Sequence, residues 1–106
     1  MSNQNAEVAP VEGETWEFIL YRAGDSPSSK KAETLLQKLC DRYLLERYHL
    51  KVVDIRDPSA ILPPDILAAP TVVRTFPQPE RRVIGDLSAT EKAVEGLGLR
   101  DALVEA

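Results

Sequence analysis

Three serines in the segment Ser26-Pro27-Ser28-Ser29 are the first residues of this chain whose types suggest chemistry. They stand where an apolar, strand-like run gives way to a helical pattern. The start of a helix stabilises an anion or a thiolate through its free N–H groups and the positive end of the helix dipole. A serine hydroxyl cannot exchange disulfides, because only a thiolate does so, although it can hydrogen-bond the thiolate of glutathione. Serine is also a common helix N-cap, and the sequence favours this structural role.

The other potentially reactive side chains stand alone in the sequence. Cys40 is the only cysteine, which excludes an internal disulfide and a CxxC redox site. It falls on the apolar side of a predicted helix, where a buried thiol of ordinary reactivity is expected. His49 has no neighbouring group in the sequence to orient it, and Asp54 is expected to cap a turn after a strand. We therefore predict no catalytic residue, no metal and no cofactor.

Composition predicts one globular domain that follows an acidic tail. The net charge of −4 over 106 residues argues against a protein that binds nucleic acid through its phosphates. Residues 1–14 contain three glutamates and no lysine or arginine, and they are predicted to form a disordered acidic tail before an ordered domain at residues 15–106. Neither a signal-like segment nor an apolar run of bilayer length is visible, which predicts a cytoplasmic protein without membrane contact.

The first half of the predicted domain has the pattern strand, helix, strand. "TWEFILYRA" (residues 15–23) is apolar on both faces, which is typical of a central strand. A helix capped by Ser26 and begun by Pro27 follows. Its apolar stripe consists of Ala32, Leu35, Leu36, Leu39, Cys40, Tyr43 and Leu44. "HLKVVDI" (residues 49–55) is the second strand, and the short connections predict a parallel βαβ unit.

Prolines and β-branched residues organise the second half. In "SAILPPDILAA" (residues 59–69) the prolines allow at most short helical turns. "TVVRTF" (71–76) and "RRVIGD" (81–86) are predicted to form an antiparallel pair of strands. Ser88-Ala89-Thr90-Glu91 has the pattern of a capping box for a helix that Gly96 and Gly98 end or loosen, and the last residues add a turn.

The resulting order of elements, β-α-β-(short α)-β-β-α, is the thioredoxin-like arrangement with a mixed four-stranded sheet. This fold usually has a cis proline before its third strand, so Ala69-Pro70 is predicted to be a cis peptide bond.

Clustered basic residues are the remaining candidates for function. Lys30 and Lys31 open the long helix, where a cation is unfavourable to the helix dipole. Together with Lys51, Arg81 and Arg82, these two lysines could form one basic patch that recognises an acidic protein surface. The alternative, which the sequence leaves open, is that these basic residues face solvent and bind no partner.

Three segments resemble the KaiB family of circadian clock proteins over about residues 15–99, and the shortest of them is "LKVVDI" (residues 50–55). "LYRAGDSPSSKKAETLLQKL" (residues 20–39) is similar to the family's LYVAG-T-P-S opening. "AAPTVVRTFPQPERRVIGDLSATEKAVEGLGL" (68–99) is similar to its A-T-P-T turn, its proline-rich turn and its R-R-I-I-G-D-L-S block. The departures are Gly98 in place of aspartate, Gln78 in place of the middle of three prolines, and the proline-containing segment before Pro70.

The resemblance implies a non-enzymatic regulatory protein. KaiB-like proteins bind the first ATPase ring of KaiC and compete with a sensor kinase whose N-terminal domain is thioredoxin-like; a KaiA-like protein is a further implied partner. The resemblance assigns Lys31, Lys51, Arg81 and Arg82 to partner binding. It assigns Gly96, Gly98 and Pro70 to a switch between the thioredoxin-like monomer and a resting dimer or tetramer with a rearranged C-terminal half.

Local preferences indicate which of these two forms this chain favours. The resting form needs helix through part of residues 71–75, where Thr71, Val72 and Val73 are each worse than alanine by roughly half a kcal/mol. Pro63 and Pro64 would each cost about 3 kcal/mol inside a helix. The thioredoxin-like monomer is therefore expected to predominate. Two other functions remain open: a glutathione-binding or redox-related domain that uses Ser26 or Ser29 near Pro70, and an interaction module detached from a kinase.

Overall fold

The strand that is apolar on both faces lies inside the sheet, as its pattern predicts. The computed structural model of the protein describes residues 15–66 and 68–104, and the predicted tail at 1–14 lies outside these residues. β1 (Trp16–Arg22) pairs in parallel with β2 (Tyr48–Asp54) and antiparallel with β3 (Thr71–Phe76). β3 pairs antiparallel with β4 (Arg81–Ile84), so the sheet order is β2-β1-β3-β4.

The long helix begins where its N-cap and proline predict. α1 (Pro27–Leu44) follows Ser26, whose Oγ accepts a hydrogen bond from the Ser29 N–H at 3.3 Å. Its apolar stripe packs on β1 against Trp16, Phe18 and Leu20. The buried side chains of the stripe are Ala32, Leu36, Leu39, Cys40 and Leu44. Both predictions, the N-cap and the buried stripe, are confirmed.

All helices lie on one side of the sheet. α2 (Thr90–Leu97) and α3 (Arg100–Val104) follow β4, and their apolar residues join the same core as α1. We call the opposite side of the sheet the outer face. Residues 63–66 lie over part of it, beside Tyr21 and Val73. The thioredoxin-like arrangement and the mixed four-stranded sheet are confirmed.

The predicted capping box at Ser88 is wrong. α2 begins at Thr90 with Ala89 as its N-cap, and no side chain caps it. The Ser88 N–H instead donates to Asp86 Oδ1 at 2.9 Å, which closes a local turn before the helix. Asp86 therefore accepts the Ser88 N–H that the Glu91 side chain would accept in a capping box.

The short helix predicted between β2 and β3 does not form in the described residues of that segment. The Ile66 N–H donates to the Pro63 carbonyl at 3.2 Å, which closes a single turn. Pro63 and Pro64 have no N–H to continue a helical ladder, so the segment holds a single turn, within the expected limit of short helical turns, and adds no helix to the order of elements.

The backbone features predicted at the C-terminal half are present. The Ala69-Pro70 bond is cis, as are two further bonds to proline in the β3–β4 turn, Phe76-Pro77 and Gln78-Pro79. Gly98 ends α2 in the left-handed conformation with φ 67°, which glycine adopts without steric penalty. The expected final turn is α3.

Candidate partner-binding site

The serine-rich start of α1 uses its polar groups within the fold. Ser29 is buried, and its Oγ accepts a hydrogen bond from the Ala23 N–H at 3.1 Å. Asp54, at the end of β2, accepts hydrogen bonds from the N–H groups of Arg56 and Gly24 at 2.9 and 3.0 Å. These two bonds hold the pKa of the Asp54 carboxyl below its ordinary value. The prediction that Asp54 caps a turn is confirmed, and the serines act here as structural hydrogen-bond partners.

The cysteine is placed where it has little reactivity. Cys40 is fully buried among the apolar residues of the core. Burial, with a smaller contribution from Asp41, raises the pKa of its thiol to about 12. A thiol with this pKa stays protonated at neutral pH and is a poor nucleophile. This agrees with the prediction of a buried thiol of ordinary reactivity.

In residues 15–66 and 68–104, no group of three or more His, Cys, Asp or Glu side chains could hold a metal ion. No helix within the described part of the chain has both the length and the apolar character needed to cross a membrane.

Two of the four predicted binding residues share one row on the outer face. In the register of the sheet, Lys51 of β2 lies beside Ile19 of β1, which lies beside Val73 of β3 and then Arg82 of β4. Neighbours in one row point to the same side of a sheet. We call Lys51, Ile19, Val73 and Arg82 the cross-strand row. It places a cation at each edge of the sheet and apolar side chains between them.

The other two predicted residues lie elsewhere. Arg81 precedes Arg82 in the same strand, so its side chain points to the opposite side, the side on which Val83 packs against the core. Lys31 lies on α1, and its Nζ is 3.8 Å from a carboxylate oxygen of Asp86. The structure therefore separates the four residues into a pair on the outer face and a pair on the helical side, and they do not form one continuous patch.

The charge of Arg82 is shared with two neighbouring carboxylates. Its guanidinium contacts Asp65 at 3.0 Å and Glu80 at 2.7 Å. The hydrogen bond that Arg82 donates to the Glu80 carboxylate is the main reason that the pKa of Arg82 is raised. Asp65 belongs to the segment that lies over the outer face, so these ion pairs connect that segment to β4. Lys51 is exposed and carries the more accessible charge of the row.

A cavity of about 390 Å³ lies beside Arg82 on the outer face. Its floor consists of Ile19, Tyr21 and Val73, and residues 63–66 form one wall. Sequence reasoning did not identify Asp65 and Glu80 as partners of Arg82. The signal for Glu80 was available, because residues two apart in a strand share a face. No sequence signal placed Asp65 there.

The residues assigned to a conformational switch lie where the C-terminal helices meet β3 and β4. The Pro70 carbonyl accepts a hydrogen bond from the Gly85 N–H at 2.9 Å. Gly96 faces Val83, and a Cβ at this glycine would lie 2.5 Å from a Val83 methyl carbon. Gly98 ends α2 beside the buried guanidinium of Arg74. These contacts belong to the thioredoxin-like arrangement of the C-terminal half.

The fold and the site together define a thioredoxin-like protein that has serines at the start of its first helix, where redox members of this fold have cysteines. The family model described as "KaiB domain" matches residues 19–99. The chain belongs to the KaiB family.

Three relatives show the extent of the similarity, and each has the name "Circadian clock oscillator protein KaiB". The protein of Thermostichus vulcanus is 39% identical over 93 residues, which cover 87% of this chain and 85% of the relative. That of Prochlorococcus marinus subsp. pastoris is 39% identical over 90 residues, 84% of each chain. That of Synechococcus sp. is 40% identical over 86 residues, 80% of this chain and 78% of the relative.

Proposed function

We propose that this chain is a non-enzymatic clock regulatory protein that binds a KaiC-like ATPase ring and competes for it with the thioredoxin-like domain of a sensor kinase. The match to the KaiB domain over residues 19–99 carries this proposal. The geometry supports it, because the Ser26 and Ser29 hydroxyls accept hydrogen bonds from backbone N–H groups, and Cys40 is buried with a raised pKa. The KaiA-like protein belongs to the same proposal as a further partner.

The cross-strand row is the proposed contact with the ATPase. Ile19, which is half-buried, provides an apolar centre, and Lys51 and Arg82 provide cations at the two ends of the row, while Val73 is buried in the free chain. Such a surface is complementary to a partner with an apolar patch between acidic side chains. Lys31 and Arg81 lie on the helical side, Lys31 beside Asp86 and Arg81 at the start of β4, and each is proposed as a separate further contact.

Complex formation with the ATPase is the direct test of this function. The purified chain, mixed with a hexameric KaiC-like ATPase and ATP, is expected to co-elute with the hexamer in size-exclusion chromatography. Added sensor-kinase domain is expected to displace it. A KaiB relative from Synechococcus is the positive control. The absence of any complex at high protein concentration, under conditions in which the relative binds, would contradict the proposal.

We also propose that the free chain is mainly the thioredoxin-like monomer. In this arrangement Val72 and Val73 are buried strand residues, and both are poor helix formers. A difference of about 2 kcal/mol between the two forms is sufficient to leave one of them almost alone in solution. Size-exclusion chromatography at micromolar concentration is expected to show a monomer of 11.8 kDa. A profile dominated by a tetramer would reject this part of the proposal.

A further inference from the structure

Among residues 15–66 and 68–104, Arg74 is the one charged side chain that is buried in the core. It lies on β3, is only 2% exposed, and points to the helical side of the sheet. Its Nη1 donates to the Leu97 carbonyl at 2.9 Å, and its Nη2 donates to the Pro79 carbonyl at 2.8 Å. The guanidinium carbon lies 5.0 Å from the centre of the Trp16 ring. One side chain therefore connects the end of α2, the β3–β4 turn and β1.

The guanidinium is buried without an opposite charge at contact distance. Arg74 takes part in none of the ion pairs formed within residues 15–66 and 68–104. Its Nε is buried and has no hydrogen-bond partner. Burying a cation in this way is unfavourable, and a well-packed apolar residue is often the more stable alternative at such a position. Arg74 is therefore better explained as a residue that fixes the positions of the elements it contacts than as one that adds stability.

One of the elements that Arg74 contacts is the C-terminal end of α2. The last carbonyls of a helix have no partner within the helix and attract cations. The last turn of α2 contains no basic residue of its own, and Arg74 from β3 supplies the missing donor at Leu97. The planar guanidinium can hold this carbonyl and that of Pro79 at once, which a single ammonium group cannot do in the same geometry.

Gly98 leaves the space that this guanidinium occupies. Its φ is 67°, and a Cβ at this position would lie 2.7 Å from Arg74 Nη1. Any other residue here would push the guanidinium away from the Leu97 carbonyl. The two positions are thus coupled: Gly98 both ends the helix and admits Arg74.

We infer that Arg74 and Gly98 form a lock that holds the C-terminal end of α2, and with it α3, on the sheet, and that opening the lock releases residues 98–104 while β1, β2 and α1 stay folded. Arg74 is a positioning residue, since it acts through the end of α2. The inference concerns the free protein and does not depend on which partner the protein binds.

Hydrogen exchange measured by NMR on the free, full-length chain tests the lock. The reporters are the N–H groups of Leu99 and Ala102, which donate to Val94 and Leu99 carbonyls at 3.0 and 3.1 Å. In Arg74→Met these amides are expected to exchange about tenfold faster than in the parent chain, and amides of α1 at the unchanged rate. Emission from Trp16, the only tryptophan, is expected to change as the guanidinium leaves its ring. The matched control is Arg42→Met, which removes an exposed arginine that lies over the ring of Tyr43.

Two further variants keep the test decisive. Gly98→Ala is expected to accelerate hydrogen exchange at the same two amides. In the double variant Arg74→Met/Gly98→Ala the added methyl group has no guanidinium to displace. The exchange rate of the double variant is therefore expected to be lower than the two single effects multiplied together would give. Arg74→Lys, which keeps the charge but loses the planar fork, is expected to behave like Arg74→Met. Either of two results in Arg74→Met would overturn the lock: unchanged exchange at Leu99 and Ala102, or an equal acceleration of exchange in α1. Exchange in Arg74→Lys as slow as in the parent chain would also overturn it. So would a double variant whose exchange rate equals the product of the two single effects.

Discussion

Replacing Leu36 by alanine is expected to lower the free energy of unfolding by about 3 kcal/mol. Leu36 is fully buried in the middle of α1 and belongs to the core formed with β1. Truncation removes its apolar contacts and leaves a cavity that a rigid core closes only in part. Urea unfolding followed by the fluorescence of Trp16, which is buried in the same core, measures the change.

A second leucine provides the matched control for this measurement. Leu45, directly after α1, is 66% exposed, and Leu45→Ala is expected to change the free energy of unfolding by less than about 0.5 kcal/mol. Similar losses in the two variants would show that α1 does not pack on the sheet through its predicted stripe.

Reversing the charge of Lys51 is expected to weaken binding to the KaiC-like ATPase by about tenfold or more. Lys51 is exposed at the β2 edge of the cross-strand row, and a glutamate there would repel the acidic surface proposed for the partner. Titration calorimetry or fluorescence anisotropy with the hexamer measures the affinity. Lys38→Glu, which makes the same change at an exposed position of α1 on the helical side, is expected to leave the affinity nearly unchanged.

The second cation of the row needs a different substitution. Arg82→Met avoids placing a third carboxylate beside Asp65 and Glu80, and it is expected to weaken binding less than Lys51→Glu because these carboxylates already share the charge of Arg82. Equal affinities of the parent chain and Lys51→Glu, with Lys38→Glu also unchanged, would show that the ATPase does not bind the cross-strand row.

Secondary structure was largely predictable from the sequence because its signals are local. Three local patterns each correspond to an observed element: the run 15–23 that is apolar on both faces, the apolar stripe after Pro27 and the β-branched run 71–76. The capping box failed for a reason that is also local. Ser88 sits between Asp86 and the helix, and the aspartate accepts its N–H before the helix begins. Ranking two competing short-range hydrogen bonds requires the actual backbone path.

The candidate site was only partly predictable. Lys51 and Arg82 were identified as basic residues, but the row that joins them depends on which strands are neighbours and in what register. The opposite directions of Arg81 and Arg82 follow from strand periodicity and could have been predicted. The pairing of Arg82 with Asp65 could not, since it depends on how residues 63–66 lie over the sheet.

By itself the sequence determined the strand and helix order, the absence of a cysteine pair and the similarity to KaiB proteins, because composition, periodicity and motifs are written along the chain. Only the tertiary structure decided that two of four basic residues share a face and that the arginine within "TVVRTF" is buried against a helix end. The physical reason is that sheet register and side-chain packing bring together groups far apart in sequence, such as Arg74 with Leu97, and no local pattern encodes the distance between them.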